Sequence, residues 1–431
     1  MSPFQIGIII LFIVFIVGGV AVFAAFGGLT GSGGVGPVVI WGTLDEQAMQ
    51  DIVGAIGAED DSFDEVSYVE KNPATYRAEL VNALAAGSGP DLFMLAQEDI
   101  VQFADKLLFI PYSSVSIRRF NETYVPEGEL YLAPEGIAGL PFLIDPLVMY
   151  LNRDLFASAG IAQTPRYWDE FFTIAPKITS IDTHSDVRRS AVALGAFDNI
   201  RHAKEILAGL FLQAGDPIMA RGEDNALRAV LGEEHGDIEQ PAESALRFYT
   251  EFSNPAKSVY SWNRSLPESQ KAFIAGDVAV YFGFASDHAL LRERNPNLSI
   301  EVAVLPQVRD SRTVSTFGRM QAAAISRTAQ NPEGALLVAQ KLSEPAIAAG
   351  IANAFGLPPV RRDLLRDVPE DAAQSVFAQS ALVARGWLDP NPTRSDEVFK
   401  AMIESVVSGR LPLGDAIGNG ANSLEALLRQ P

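Results

Sequence analysis

The apolar run Leu92-Phe93-Met94-Leu95 is the feature that most constrains the fold of this chain. Successive side chains of a strand point to opposite faces of a sheet, so four apolar residues in a row need cover on both faces. A helical pattern at residues 76–86 precedes the run through a Gly-Ser-Gly-Pro turn. A helix followed by a doubly covered strand is typical of a parallel sheet with helices on both sides.

The same alternation of strand and helix recurs along the chain and predicts an α/β fold. Thr43 and Glu46 fit a capping box, which predicts that a helix starts there. Asn331 and Pro332 predict a second helix start. The expected strands are residues 38–41, 66–69, 91–95, 147–150, 278–282 and 300–305, and the expected helices include 76–86, 333–342 and 396–429.

Length, charge and composition limit the class of protein. A chain of 431 residues is long enough for two domains. Its formal net charge of −20 argues against nucleic acid and against anionic lipid headgroups as partners. The chain has no cysteine, which excludes disulfides, thiol nucleophiles, Cys-ligated zinc and lipid attachment through a cysteine.

The N-terminal segment favours a membrane anchor. Residues 6–26 are uncharged and predominantly apolar, and at about 1.5 Å per residue they can cross a hydrocarbon core of about 30 Å. A cleaved signal peptide is the alternative, but no Lys or Arg occurs before Lys71. We therefore expect a single-pass anchor at 1–26 and a flexible Gly-rich linker at 27–37, with the rest of the chain outside the cytoplasm.

Polar side chains follow two of the expected strands. Gln97 and Glu98 come directly after the apolar run, and Thr43 and Asp45 follow the first strand. Open α/β sheets bind ligands beyond the carboxyl ends of their strands. These side chains are therefore expected at one ligand-binding edge.

Seven segments, taken in order, give the chain a family resemblance. They are VVIWGTLDEQ, YRAELVNALAAGSGPDLFML, GIAGLPFLIDPLVMYLNRDLFASAGI, TPRYWDEF, FIAGDVAVYF, VAVLPQV and FGLPPVRRDLL. With them the chain resembles the extracellular solute-binding proteins of ABC importers, in the group that includes sugar-binding members, over residues 38–425. It departs from that group at residues 283–286, which read Gly-Phe-Ala-Ser where some sugar binders have Gly-Pro-Trp.

The resemblance implies a two-lobed fold of the periplasmic-binding-protein type II class, with a ligand cleft between lobes that close as a hinge. By analogy, one lobe comprises 38–142 and 299–342, and the other comprises 143–298 and 343–431. Asp145 then lies where the chain first crosses between the lobes. The resemblance also implies an ABC permease as partner and no cofactor.

A sugar site needs flat aromatic faces and hydrogen-bonding carboxylates or amides. Each candidate also has a structural alternative, such as a core position for Trp41 or helix capping for Asp45 and Glu46. Trp168 is expected in the core. The candidate ligand-binding residues are Trp41, Thr43, Asp45, Gln97, Glu98, Asp145, Trp262, Phe284, Ser286, Arg319 and Trp387.

Two other classes of function stay open. The four histidines are scattered and form no metal-binding motif, and neither a GxSxG nor a P-loop motif occurs. A glycosidase needs two carboxylates across a cleft, and Asp45, Glu98 and Asp145 could supply them. A membrane-tethered recognition or adhesion module without a transport role is the third interpretation. Our preferred interpretation is a tethered receptor that passes a sugar or oligosaccharide to a permease; peptides, polyols and polyamines are alternative ligands.

Overall fold

The computed structural model describes residues 34–184, 186–233, 240–309, 311, 313–367 and 369–429. The expected anchor at residues 6–26 and most of the linker lie outside these residues. The strands are β1 (Val38–Gly42), β2 (Val66–Glu70), β3 (Leu92–Ala96), β4 (Leu132–Ala133), β5 (Gly136–Ile137), β6 (Leu140–Asn152), β7 (Ser180–Ile181), β8 (Val187–Val192), β9 (Met219–Arg221), β10 (Leu227–Ala229), β11 (Val278–Phe284), β12 (Ile300–Ala303), β13 (Thr316–Ile325) and β14 (Ala384–Arg385).

Helices alternate with these strands, as the sequence predicts. They are α1 (Glu46–Glu59), α2 (Tyr76–Ala85), α3 (Ile100–Phe103), α4 (Ile117–Thr123), α5 (Arg153–Ser158), α6 (Phe171–Ile178), α7 (Ala203–Ala214), α8 (Pro241–Glu251), α9 (Ser269–Ala275), α10 (Asp287–Arg294), α11 (Pro332–Leu342), α12 (Pro345–Phe355), α13 (Ala372–Leu382), α14 (Pro392–Val407) and α15 (Leu413–Leu428). Among the described residues, no single helix is long and apolar enough to span a membrane, and only α11 with α12, which meet at a bend of 70°, reach that length and hydropathy together.

The main sheet is mixed rather than wholly parallel. Its strand order is β2-β1-β3-β13-β6-β11-β8-β7, with β12 beside β6 and β14 beside β13. Strand β1 is parallel to β2 and β3, and their apolar residues are buried, with Phe93 0% and Leu95 2% exposed. Strand β13 runs antiparallel to both β3 and β6. The antiparallel pairs arise where the chain crosses between two groups of strands.

Strand β6 is shared by the two halves of the molecule. Its first part, up to Pro146, pairs with β13, and its second part, from Leu147, pairs with β11 and β12. We call the half with β1, β2, β3 and the end of β13 lobe 1, and the half with β8, β11 and β12 lobe 2. Strands β6 and β13 are therefore the crossing strands.

The strand pairing differs from the expected lobe boundaries. Strand β12 pairs with the second part of β6, Ile300 opposite Asn152, so it lies with lobe 2 and not with lobe 1. Helix α12 packs against α1 and so lies with lobe 1, beyond the expected boundary at 342. The chain returns to lobe 1 only at β13.

The N-cap of the first helix lies two residues after the expected one, Thr43. Asp45 is the N-cap, and its Oδ1 accepts a hydrogen bond of 2.9 Å from the Ala48 amide. The capping box of Thr43 and Glu46 was therefore wrong, because the Glu46 amide donates instead to Glu70. The start at Asn331 is confirmed, since its side chain accepts from the Gly334 amide.

Candidate functional site

A cavity of about 490 Å³ lies where the crossing strands meet the ends of β1, β3 and β11. Loops at the ends of two parallel strands open on it, because parallel strands end at the same edge of the sheet. Its polar lining comes from Thr43 after β1, from Gln97, Glu98 and Asp99 after β3, from Ser286 after β11, from Asp145, Arg319 and Gln321 on the crossing strands, and from Tyr76 and Arg77 on α2.

Asp145 and Arg319 stand directly opposite each other on the two crossing strands. The Oδ1 atom of Asp145 accepts a hydrogen bond of 3.0 Å from the Ser286 amide in lobe 2. Burial raises the pKa of Asp145 to about 6, although the bond from Ser286 and the charge of Arg319 act to lower it. Asp145 thus remains largely ionised at neutral pH and presents its carboxylate to the cavity.

The Arg319 side chain points toward lobe 2. Its guanidinium forms an ion pair with Glu205 on α7 and lies 4.2 Å from the ring centroid of Phe284. Burial acts to raise the pKa of Glu205, but Arg319, His202 and Lys204 outweigh it and lower that pKa to about 2. The crossing strand is therefore tied to lobe 2 by a charged pair.

Gln97 holds the same strand to lobe 1. Its Nε2 donates to the Gly318 carbonyl at 2.8 Å, and its Oε1 accepts from the Met320 amide at 3.1 Å. These two bonds flank Arg319, whose side chain is bound by lobe 2. The backbone and the side chain at this position are thus bound by different lobes.

Glu127 is buried behind this crossing. Its carboxyl packs against two glycines, and a Cβ at Gly386 would lie 3.0 Å from Glu127 Oε1. A Cβ at Gly318 would overlap the other oxygen of the same carboxyl. Burial raises the pKa of Glu127 to about 8, so this side chain is mainly a neutral acid at neutral pH.

Arg77 forms ion pairs with both acidic residues after β3. Its Nη2 lies 2.6 Å from Glu98 Oε1, and its Nε lies 2.6 Å from Asp99 Oδ1. Burial raises the pKa of Asp99 to about 6 in spite of Arg77. Tyr76 beside it donates to the Met94 carbonyl at 3.0 Å.

Six of the eleven candidate residues line this cavity. They are Thr43, Gln97, Glu98, Asp145, Ser286 and Arg319. They come from both lobes and from both crossing strands, which is the arrangement expected of a site at strand ends.

Three aromatic candidates lie in the core instead. Trp262 is 0% exposed and donates its indole N–H to Asn199 Oδ1 at 3.1 Å. Trp387 is 5% exposed, and its ring lies 6.0 Å from that of Phe399. Phe284 is buried and meets the cavity only through the guanidinium of Arg319. Trp168 is also buried, as expected.

Trp41 and Asp45 lie near the first strand end but do not line the cavity. Lys71 covers the Trp41 ring, with its Nζ 3.7 Å from the ring centroid. The Asp45 carboxylate caps α1. Of the carboxylates considered for glycoside hydrolysis, Asp45 is therefore a helix cap and Glu98 is bound by Arg77, which leaves Asp145.

Four ionisable side chains at or behind the cavity were not among the sequence candidates, namely Arg77, Asp99, Glu127 and Glu205. Arg77 lies at the start of α2, Glu205 lies far from both crossing strands in sequence, and Glu127 lies far from β13. A charged residue at the start of the α2 helix, whose apolar face covers β3, was the available signal for Arg77. Glu205 and Glu127 are brought to the site only by tertiary packing.

The sequence and the fold both match known proteins. The family model of bacterial extracellular solute-binding proteins matches residues 57–377. Putative binding proteins of Brucella abortus and Brucella suis are 28% identical over 106 residues, which span 24% of this chain and 25% of each relative. The alignment thus covers about a quarter of those relatives.

Solved structures share the fold over nearly the whole described chain. A cyclo/maltodextrin-binding protein complexed with maltotetraose has a TM-score of 0.73 at 16% identity and covers 92% of this chain and 97% of that chain. The sugar-binding protein MalE from Xanthomonas citri has a TM-score of 0.72 at 19% identity, with 91% and 97% covered. The cyclic alpha-maltosyl-1,6-maltose binding protein from Arthrobacter globiformis has a TM-score of 0.74 at 15% identity, with 91% and 100% covered.

Proposed function

The chain belongs to the bacterial extracellular solute-binding proteins, and from that premise we propose that it captures a sugar or an oligosaccharide between its lobes. The observation that carries the proposal is the cavity at the crossing strands, to which both lobes contribute polar side chains. Its volume of about 490 Å³ suits a small solute.

The lining chemistry supports a polyhydroxylated ligand. A carboxylate such as Asp145 accepts hydrogen bonds from adjacent hydroxyls, and the Thr43 and Ser286 hydroxyls both donate and accept. Three solved structures that share this fold are of binding proteins for maltodextrins or other sugars. Among the described residues that line the cavity, none is a tryptophan that could stack on a sugar ring. Recognition would therefore depend mainly on hydrogen bonds.

A thermal-unfolding screen of the full chain tests the proposal. The panel holds monosaccharides and oligosaccharides, with polyols, short peptides and polyamines as the other ligand classes. A ligand that binds only the folded state stabilises it by about 2.7 kcal/mol at a hundredfold excess over its Kd. A shift with sugars that are recovered unchanged supports the proposal. A shift with peptides or polyamines alone contradicts it. Hydrolysis of the sugar would show that the chain is an enzyme rather than a receptor.

Delivery to an ABC permease and attachment to the membrane complete the proposal. The uncharged run at residues 6–26 supports an anchor in the cell membrane, which would keep the lobes at its outer face beside a permease. Mass spectrometry of membrane-extracted protein tests the anchor. Peptides from within residues 1–26 are expected, whereas a mature N-terminus near Gly27 would show that the segment is cleaved.

A further inference from the structure

We propose, resting on the proposed sugar-binding function, that the cavity selects its solute by charge. It accepts neutral and cationic sugars and discriminates against sugars that carry a carboxylate, and Asp145 is the group that anchors the accepted ligand. Arginines in a binding cavity ordinarily favour anionic ligands, because their guanidinium forks match carboxylates. The two arginines of this cavity are already paired with carboxylates of the chain.

Arg77 has two carboxylate partners within the same wall. Its Nη2 and its Nε each lie 2.6 Å from an oxygen, of Glu98 and of Asp99 respectively. The edge of the guanidinium formed by Nε and Nη2 is thus occupied. A ligand carboxylate that approaches this edge would have to displace Glu98 or Asp99.

Arg319 is bound to lobe 2 through part of its guanidinium, since its Nη2 pairs with Glu205 while its Nε has no hydrogen-bond partner among the described residues. Its guanidinium forms an ion pair with Glu205 and stacks on the Phe284 ring. Glu205 is 9% exposed as a side chain, so a released Glu205 carboxylate would stay buried without its partner. Leaving a buried charge without its partner is costly. An external anion therefore competes poorly with Glu205 for Arg319.

Asp145 is the lining carboxylate that has no cation of its own. Its Oδ1 accepts from the Ser286 amide at 3.0 Å. Within the described part of the chain, no Lys, Arg or His nitrogen lies within 4.0 Å of its carboxylate. The Arg319 guanidinium, although opposite in register, pairs with Glu205. Asp145 is therefore free to accept hydroxyl hydrogen bonds or to pair with a ligand ammonium group.

The local charges give the cavity an excess of negative charge. Arg77 and Arg319 supply two positive charges, and Glu98, Asp99, Asp145 and Glu205 supply four negative ones at pH 7.5, which leaves an excess of two negative charges. The formal net charge of −20 for the chain has the same sign. A ligand carboxylate in this cavity is therefore repelled, whereas an ammonium group is attracted.

Isothermal titration of the full chain at pH 7.5 with matched ligands tests the charge selection. Three neutral scaffolds, glucose, galactose and maltotriose, are each compared with their 6-carboxylate and 6-carboxamide derivatives, and the two monosaccharides also with their 2-amino forms. The carboxamide has nearly the shape of the carboxylate, so the comparison isolates charge. We expect the Kd of the carboxylate to exceed that of the carboxamide roughly tenfold or more, and the amino sugars to bind at least as tightly as the neutral ones.

The variant Asp145→Asn tests the role of Asp145 with little change in shape. The Kd for the neutral sugar should rise about tenfold, because a charged acceptor is lost. The ratio of the carboxylate Kd to the carboxamide Kd should become smaller than in the wild type. Asp371→Asn is the matched control, since Asp371 is an exposed helix N-cap outside the cavity and asparagine caps equally well. An unchanged ratio in Asp145→Asn would overturn the assignment of Asp145.

The remaining outcomes separate this inference from the proposed function. Carboxylate and carboxamide forms that bind equally well, or a tighter carboxylate, would overturn the charge selection while the neutral sugars still supported a sugar receptor. Absence of binding by every scaffold, in protein that unfolds cooperatively, would overturn both.

Discussion

The carboxyl groups of Asp145 and Glu127 both lie beside β13, but their surroundings differ. Asp145 lines the cavity and accepts a hydrogen bond from the Ser286 amide, and its pKa of about 6 leaves it charged at neutral pH. Glu127 is 1% exposed and packs against Gly318, and its pKa of about 8 leaves it mainly protonated. The charged acid lines the cavity, and the neutral acid fills the space behind the crossing strands.

Glu127→Gln should therefore remove a pH dependence of stability. Because the folded pKa lies above the unfolded value near 4.5, the folded state binds the proton more tightly, and the contribution of Glu127 to stability falls as pH rises from about 4.5 to about 8. Glutamine mimics the protonated acid and does not titrate. The variant should match the wild type near pH 5 and exceed it at pH 8, by roughly 1–3 kcal/mol.

Chemical denaturation of both proteins at pH 5, 6, 7 and 8 measures this effect. Asp99 and Asp145 also have raised pKa values and are present in both proteins, so the difference between the two curves isolates Glu127. A difference in the free energy of unfolding that stays constant with pH would contradict the neutral form of Glu127.

At the scale of elements, β13 is bound to lobe 1 through its backbone and to lobe 2 through a side chain. The Gln97 amide holds its backbone on both sides of Arg319, and Glu205 holds the Arg319 side chain. Gly318 allows the strand to approach the Glu127 carboxyl, since any side chain there would overlap it. The glycine is thus needed for close packing at the crossing.

Gly318→Ala should destabilise the protein by roughly 1–3 kcal/mol, because its Cβ must displace Glu127 in a packed interior. Gly350→Ala is the matched control, since a Cβ there, in α12, meets nothing within 4 Å. That substitution should be neutral or stabilise the helix by up to about 1 kcal/mol. Equal unfolding midpoints for Gly318→Ala and the wild type would show that the crossing tolerates a side chain.

The sequence predicted the elements of lobe 1 better than the crossing. Strands β1 to β3 are apolar runs next to helices, and Asn331 signals α11 by its side chain. Strand β13 escaped prediction because Ala322, Ala323 and Ala324 carry no strand signal, and alanine favours helices. The strand forms because β3 and β6 pair with it on both sides.

The site was also predicted only in part, because some of its residues are brought together by tertiary packing that the local sequence does not signal. Gln97 and Glu98 could be placed at a strand end from the order of residues alone, whereas Asp145 was placed at the crossing by the family resemblance. The tryptophans could not be placed, since a buried and a ligand-binding Trp look alike in sequence. Trp262 lies in a polar segment but is fully buried, and its indole N–H donates a hydrogen bond to Asn199 Oδ1.

At the scale of the whole molecule, two lobes share β6 and β13, and the cavity lies at their junction. Two crossing strands restrict relative motion mainly to bending and twisting about the crossing. A solute that contacts both lobes stabilises the arrangement in which those contacts form. Sugar binding should therefore change the distance between the lobes.

The distance between two spin labels, one on each lobe, tests this account most directly. The chain has no cysteine, so Ser88→Cys in lobe 1 and Asn297→Cys in lobe 2 would be the only labelling sites, and both positions are exposed. Pulsed electron resonance on the full chain is compared with and without a saturating neutral sugar. The account predicts that the distance distribution shifts by several ångströms and narrows when the sugar binds. An identical distribution with bound sugar would contradict capture by closure of the two lobes.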